Sequence, residues 1–280
     1  MNSISLVPTL AKGVNDMQVG DIIKFARDNY DIVKGINFQP ISFTGRINRE
    51  CANTGRINRE YVSIENANNI NKISTEERME KRITIPDLLY LIEEQTNGTI
   101  MAKDFYPVPF IVPISHFLEE EGIHNVEFTV HPHCGAGTYV YIENGKIIPI
   151  TRFIDVEGLF ERINELSPGG DISVDRIKRL KRLGSLVSGL HKYIDTARAP
   201  KSVDVKALFI NVLKEGTGDA IKEFHGHTLF IGAMHFMDLY NMDLERIQKC
   251  GIHYATPDGR IIPFCTYNTI HRVDVEKMFI

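Results

Sequence analysis

The 280-residue chain sets 32 lysines and arginines against 36 aspartates and glutamates, a net charge of −4 with histidine neutral, so no global positive field recruits nucleic acid. Hydrophobic residues make up 43% and charged residues 24%, which excludes a disordered chain and allows a full core in one or two domains. No apolar run reaches the roughly 18 residues of a membrane span, and the N-terminus lacks the charged, apolar and small-residue order of an export signal, so a cytoplasmic protein is expected.

Ile4-Ser5-Leu6-Val7-Pro8-Thr9-Leu10 reads as a short buried strand. Lys12-Gly13-Val14-Asn15-Asp16 makes a turn, with Asp16 as candidate N-cap of a helix whose one face is Val19, Ile22, Ile23 and Ala26. Val33 to Ile41 reads as a second strand. Strand, helix and strand form a βαβ unit, so the two strands should be parallel. A lone parallel pair has open edges and bare faces, whereas parallel sheets are almost always buried. The opening therefore looks like the tail end of a larger α/β barrel.

Between Thr44 and Ile83 the character changes. Gly45-Arg46-Ile47-Asn48-Arg49-Glu50 recurs intact as Gly55-Arg56-Ile57-Asn58-Arg59-Glu60, a local duplication, and Asn66 to Asn71 reads as a solvated loop. Cys51 falls here and is not expected to be a ligand. Ser74-Thr75-Glu76-Glu77 and Ile85-Pro86-Asp87 look like helix starts, the second helix ending near Asn97-Gly98. Asp104 to Pro109 should be extended, because each proline restricts its predecessor.

Two hairpins then stand out. Tyr139 to Ile150 turns at Asn144-Gly145, and Cys250 to Cys265 turns at Asp258-Gly259, where a type I′ turn with both central residues at positive φ is expected. Asn144-Gly145-Lys146-Ile147-Ile148-Pro149-Ile150 matches Asp258-Gly259-Arg260-Ile261-Ile262-Pro263-Phe264 in polarity throughout, and each hairpin follows a cysteine, Cys134 or Cys250. The chain carries two copies of one unit, with Thr151 in the first where the second has Cys265. Antiparallel strands in the second copy should bring Cys250 and Cys265 side by side. Four cysteines in all, counting Cys51, are too few to staple a secreted fold of this size. The converging thiols suit a metal or burial.

Between the hairpins, Ile177, Leu180, Leu183, Val187, Leu190 and Ile194 form an apolar stripe beside Arg176, Lys178, Arg179, Lys181 and Arg182. A packed helix with a solvated basic face explains this; peripheral contact with anionic headgroups is the alternative. His225-Gly226-His227 and Met234-His235-Phe236-Met237 read as core with hydrogen-bonded histidine, and Asp243 to Ile247 as a short helix leading into Cys250.

Pro257 to Cys265, preceded by Cys250, resembles the auxiliary-cluster hairpin of radical S-adenosylmethionine (radical SAM) enzymes of the SPASM/twitch kind. Leu6 to Asp16 and Gly35 to Gly45 resemble the last barrel strands of that superfamily. More narrowly, Asp104 to Pro109, His131-Pro132-His133-Cys134-Gly135, Phe230 to Asp238 and His253 to Gly259 resemble archaeal tetraether lipid synthases and related proteins described as pterin methylases. The resemblance implies an α/β (α+β) fold: residues 1–45 as the remnant of a partial (β/α)6 barrel, 46–83 as an insert and 84–280 as an auxiliary-cluster domain. It implies a 4Fe–4S cluster on Cys134, Cys250 and Cys265, with His133 a candidate fourth ligand. It also implies an S-adenosylmethionine pocket near Thr9, Asn15 and Gln39, and a lipid or pterin substrate. The complete enzyme would form a 5′-deoxyadenosyl radical and join or methylate carbons. The superfamily's Cys-x3-Cys-x2-Cys triplet does not occur here, so the chain is not expected to catalyse alone, and a separate polypeptide carrying the earlier strands is a possible partner. Two other readings stand beside it: a structural zinc held tetrahedrally by Cys134, Cys250, Cys265 and His133, and an inactive remnant whose cysteines merely pack.

Overall fold

The structure is a computed structural model that describes residues 3–44, 75–120, 122, 126–167, 176–202, 204–207, 210, 226 and 228–279. The duplicated hexapeptide, Cys51, the Asn-rich tract, His225 and His227 lie outside them. The fold is mixed α/β, built on a seven-stranded sheet. Strands β1 (Ile4–Leu6) and β2 (Thr9–Leu10) both pair in parallel with β3 (Val33–Pro40). On its other side β3 pairs in parallel with β7 (Thr228–Met234). Strand β5 (Gly135–Glu143) runs antiparallel to β7 and carries β4 (Tyr106–Pro107) and β6 (Lys146–Pro149) along its other side.

The expected βαβ opening forms. Helix α1 (Val19–Asp28) buries Val19, Ile23 and Ala26, the stripe its spacing predicts. The first strand is broken rather than continuous, because Pro8 has no N–H to offer, though its carbonyl still accepts from Gln39 N at 2.9 Å. Nor is it fully buried: β1 lies at the end of the sheet, and Ile4 is 50% exposed. Asp16 sits inside a short 3₁₀ turn, Asp16–Gln18, and its carboxylate accepts from Gly13 N at 2.9 Å instead of capping α1.

Helix α2 (Thr75–Lys81) precedes α3 (Ile85–Gln95), whose N-terminus is a capping box between Thr84 and Asp87. After α3, Asn97 and Gly98 adopt positive φ, as a helix stop there requires. The Gln95 side chain accepts from Gly20 N at 2.9 Å and donates to the Asp16 carbonyl at 2.7 Å, tying α3 to α1. The main core lies between these helices and the sheet, with Leu10, Ile23, Ile36, Phe38, Leu88, Ile92, Val140 and Ile231 sealed from solvent.

The stretch from Asp104 to Pro109 is extended at Phe105 and through β4; 3₁₀ turns, Ala102–Asp104 and Val108–Ile111, flank it. Pro109 falls in the first turn of the second, where a missing N–H costs nothing. Helices α4 (Val112–Glu120), α5 (Val156–Leu166) and α6 (Arg176–Gly189) surround a second core that includes Phe117, Leu159, Ile163, Leu186, Leu190 and Ile194. Of the stripe expected of the basic helix, Leu183, Leu190 and Ile194 pack inward, joined by Leu186, which the expected stripe left out. Among the described residues no helix is long and apolar enough to cross a membrane.

Both hairpins form, with different turns. Asn144 and Gly145 have φ of 52° and 75° and make the two-residue loop between Glu143 and Lys146. In the second hairpin, β8 (His253–Ala255) pairs with β9 (Ile261–Pro263) across a longer loop, residues 256–260. There Gly259 N donates to the Thr256 carbonyl at 2.9 Å, and Gly259 alone takes positive φ, 83°. Pro257 holds φ negative at the first central position, so the expected type I′ geometry gives way to a turn followed by a left-handed glycine. The likeness of the two units extends past the strands. Pro149 (φ −57°, ψ 139°) and Pro263 (φ −54°, ψ 139°) each lead into a helical turn. That turn is Ile150–Arg152 in the first unit and α8 (Phe264–Thr266) in the second, so Thr151 and Cys265 occupy matching positions.

At Thr151 the structure shows what that position buries. Asp104, fully buried, accepts from Thr151 Oγ1 at 2.5 Å, Arg152 Nη2 at 2.8 Å and Met101 N at 2.7 Å. Asp104→Ala strands those donors and should cost about 3 kcal/mol, read as a lower urea midpoint with an unchanged slope.

Candidate functional site: a thiol cluster at one edge of the sheet

The parallel strands β2, β3 and β7 all end at one edge of the sheet, and β5, running the other way, begins there. Ligands in α/β sheets gather at such carboxyl ends. Pairing of Gly135 with Met234 puts Cys134 opposite His235, whose N–H donates to the Cys134 carbonyl at 3.0 Å. Cys134 closes a 3₁₀ turn, Pro132–Cys134, and is half-buried. Beyond β7 the chain runs through Met237, whose N–H donates to Cys265 Sγ at 3.3 Å.

Cys265 is held there by aromatic packing. The ring of Phe264 lies 4.6 Å from that of Phe236 and 5.4 Å from that of Tyr254, and Tyr254 lies 4.2 Å from Tyr267. The second hairpin and the C-terminal helical segment are thereby fastened to the end of β7. A π-turn, Tyr267–His271, continues α8 into α9 (Arg272–Phe279), and Thr269 Oγ1 donates to the Cys265 carbonyl at 2.7 Å. Cys250 follows the expected short helix, α7 (Leu244–Gln248), which Asp243 caps; its thiol donates to the Ile252 carbonyl at 3.0 Å. Cys134 and Cys250 each come within electrostatic reach of Cys265. Burial pushes the Cys265 thiol up, and Cys250 and Cys134 push it further, against the opposing pull of Met237 N–H and Arg246.

Arg246, on α7, is 6% exposed. Its Nε donates to Cys134 Sγ at 3.5 Å and its Nη2 to the His235 carbonyl at 2.5 Å. Nothing in a five-residue helix marks one arginine as buried, so periodicity could not single it out. His131 is also buried, its Nε2 3.8 Å from Glu245 Oε2. His133 is exposed; its N–H donates to His131 Nδ1 at 3.2 Å, and the two rings meet edge to face. Among the described residues no group of three or more His, Cys, Asp or Glu is placed to hold a metal ion, so the tetrahedral zinc arrangement is not formed.

Thr9 and Gln39 face each other in the β2–β3 register, and Asn15 folds over them: its Nδ2 donates to the Thr9 carbonyl at 2.8 Å and its Oδ1 accepts from Ala11 N at 3.0 Å. These three residues share the thiols' edge of the sheet. Between the two groups sits a buried ion pair, Arg82 Nη2 to Asp238 Oδ2 at 2.7 Å, with Phe43 N donating to the same oxygen at 3.1 Å. Beside Cys250 opens a cleft of about 570 Å³, walled by Pro109, Val112, Val130 and Pro132, with Gln248 and Lys249 at its rim.

His235 was expected to be hydrogen-bonded; instead its Nε2 is buried without a partner among the described residues. Desolvation lowers its pKa to about 4, helped by Arg246 and Arg82 and opposed by Asp238. The folded protein thus binds this proton less readily than the unfolded chain, whose histidine titrates near 6.5. The stabilisation is complete above that value and is lost as the pH falls towards 4, about 3 kcal/mol in all. Urea unfolding of the metal-free protein between pH 7 and 4 should show this loss, and His235→Gln should flatten it.

No family model matches the chain. A curated relative from Methanocaldococcus jannaschii, named 7,8-dihydro-6-hydroxymethylpterin dimethyltransferase, is 46% identical over 283 aligned positions, covering 99% of this chain and 50% of the relative. The chain therefore spans about half the length of the curated relative it matches, and the two are homologous along essentially all of this chain.

Proposed function

We propose that this chain is the part of a radical SAM methyltransferase that carries an iron–sulfur centre on Cys134, Cys250 and Cys265, in an enzyme acting on a pterin. The observation that carries the reading is the placement of three cysteines at the edge of the sheet where parallel strands end, with Cys134 and Cys250 each acting on the Cys265 thiol. The homology to a protein named as a pterin dimethyltransferase favours methyl transfer to a pterin over the coupling of lipid chains.

In this reading Cys134, Cys250 and Cys265 supply thiolates, and His133 or His131 stands nearby. When bound, the centre supplies electron transfer or a contact to substrate; S-adenosylmethionine, when bound, supplies the methyl group and the radical chemistry. Thr9, Asn15 and Gln39 line the S-adenosylmethionine side of the edge, with Asn15 fixed by its two backbone bonds. The cleft beside Cys250 takes the substrate. Its proline and valine walls meet the flat face of a heterocycle, and Gln248, which offers both donor and acceptor, meets the ring's amide edge. Among the described residues β1 has no strand on its outer side, and Ile4 and Val7 are half-exposed there. Strands from a further polypeptide would pair at that edge and extend the parallel run into a barrel.

Anaerobic treatment with ferrous iron and sulfide should give a brown protein with broad visible absorbance and matched iron and sulfide. Cys134→Ala, Cys250→Ala and Cys265→Ala should each lose most of that colour while staying folded. A colourless wild-type product, or zinc uptake without sulfide, overturns the reading. The cleft is tested separately: the fluorescence of 6-hydroxymethylpterin should be quenched on binding, and Val130→Asp should weaken binding tenfold or more without changing iron content.

A further inference from the structure

The sheet has a second face, turned away from α1 and α3. Those helices cover the side that bears Ile36, Phe38, Ile231 and Val140. On the other side the register sets Gly35, Phe230 and Tyr139 in one row across β3, β7 and β5, and Asn37, Gly232 and Gly137 in the next. A Cβ on Gly232 would lie 2.6 Å from Cε1 and Cζ of Phe230, and one on Gly137 would lie 2.7 Å from Cε2 and 2.8 Å from Cζ. The long axis of the ring therefore runs along β7, from one row to the next, and its short axis crosses from β7 to β5. Both directions lie in the sheet. The ring lies flat, with one π face on the glycines and the other turned away from the backbone.

Phe230 is half-buried rather than sealed, and among the described residues the only ring packed against it is that of Tyr139, tilted by 56° at 5.2 Å between centroids. Beside it on β3, Asn37 and Gln39 project from the same face two residues apart, both half-buried. Neither carboxamide makes a hydrogen bond among the described residues. A carboxamide offers a donor and an acceptor side by side, the complement of the adjacent acceptor and donor on one edge of adenine or of a pterin. Both rows, and Gln39 with them, are uncharged, which suits a neutral ring. We propose that this platform binds a flat nitrogen heterocycle, stacked on Phe230, with its donor–acceptor edge met by Asn37 and Gln39. Adenine, as part of S-adenosylmethionine, and a pterin share that chemistry. The proposal rests on the methyltransferase reading for these two candidate ligands and on the sheet alone for the site; it needs no metal and no thiol.

The test is calorimetric titration of the metal-free chain with S-adenosylhomocysteine and, separately, with 6-hydroxymethylpterin, after thermal melting of each variant. Phe230→Leu keeps an apolar side chain over the glycines but removes the flat ring, and should weaken binding of one of the two compounds roughly tenfold. Phe230→Tyr keeps the ring and should bind as wild type does. Asn37→Leu removes the donor and acceptor without touching the ring, and should weaken the same compound several-fold; it decides alone should Phe230→Leu fail to fold. An effect on S-adenosylhomocysteine makes adenine the occupant, and an effect on 6-hydroxymethylpterin makes it the pterin. The proposal is overturned if wild type binds neither compound, or if Phe230→Leu and Asn37→Leu bind both as wild type does. It is overturned equally if Val130→Asp in the cleft abolishes pterin binding while neither platform variant changes the affinity of either compound. Failure to take up iron removes the reading of the cysteines and leaves this result standing.

Discussion

The antiparallel ladder between β5 and β7 is the contact on which the candidate site depends. Seven consecutive residue pairs, from Gly135 with Met234 to Tyr141 with Thr228, leave the ladder no freedom to slip without turning every buried side chain outward. At its centre two glycines, Gly137 and Gly232, stand opposite each other, and the ring of Phe230 lies over both. A Cβ on either would come within 2.7 Å of that ring. The aromatic ring fills the space the glycines leave, which ties this stretch of sheet to a single register. Because β7 also pairs with β3 in parallel, the same ladder aligns the ends of the N-terminal βαβ unit with the turn that bears Cys134. Residues separated by a hundred positions in the chain thus meet at one edge through backbone geometry, before any side chain makes a specific bond.

What the sequence made legible divides along the range of the forces involved. Helix α1, the start and stop of α3, the Asn-Gly turn and the short helix before Cys250 are local, set by spacing and by a few side chains acting on their own backbone, and all were readable. The parallel partnership of β3 with β7 was not, since nothing local states which strand lies next to which. The second hairpin shows the boundary well. Its existence follows from apolar runs about a turn signal, but its loop geometry turned on Pro257, whose fixed φ outweighs the Asp-Gly preference. For the site, three cysteines could be singled out by their hairpins, and the structure brings Cys134 and Cys250 within electrostatic reach of Cys265. Arg246 and His235 could not be singled out, because burial of one polar residue in a short element leaves no pattern in the sequence.

The charge arrangement at this edge is ordered rather than uniform. Asp238 and Arg82 neutralise each other on one side of His235, and Phe43 N and Tyr240 N complete the carboxylate's bonding. Arg246 meets the Cys134 sulfur and the His235 carbonyl, and its charge also acts on the Asp243 carboxylate. Burial of the His235 ring, helped by Arg246 and Arg82 and opposed by Asp238, lowers its pKa and keeps it neutral.

The paired units suggest how such an edge could be assembled from one design. In the first, the residue after the returning strand's Pro-Ile is Thr151, and its hydroxyl closes on the buried carboxylate of Asp104. In the second, the matching residue is Cys265, and its sulfur accepts from Met237 N while facing two further thiols. Backbone geometry at the two sites is nearly the same, so the local fold presents one small polar side chain inward at this point in either case. A hydroxyl there joins a hydrogen-bond network, as Thr151 does with Asp104, whereas a thiol there can also give up its proton and bind a soft metal. Structure and chemistry part at a single position, residue 151 against residue 265.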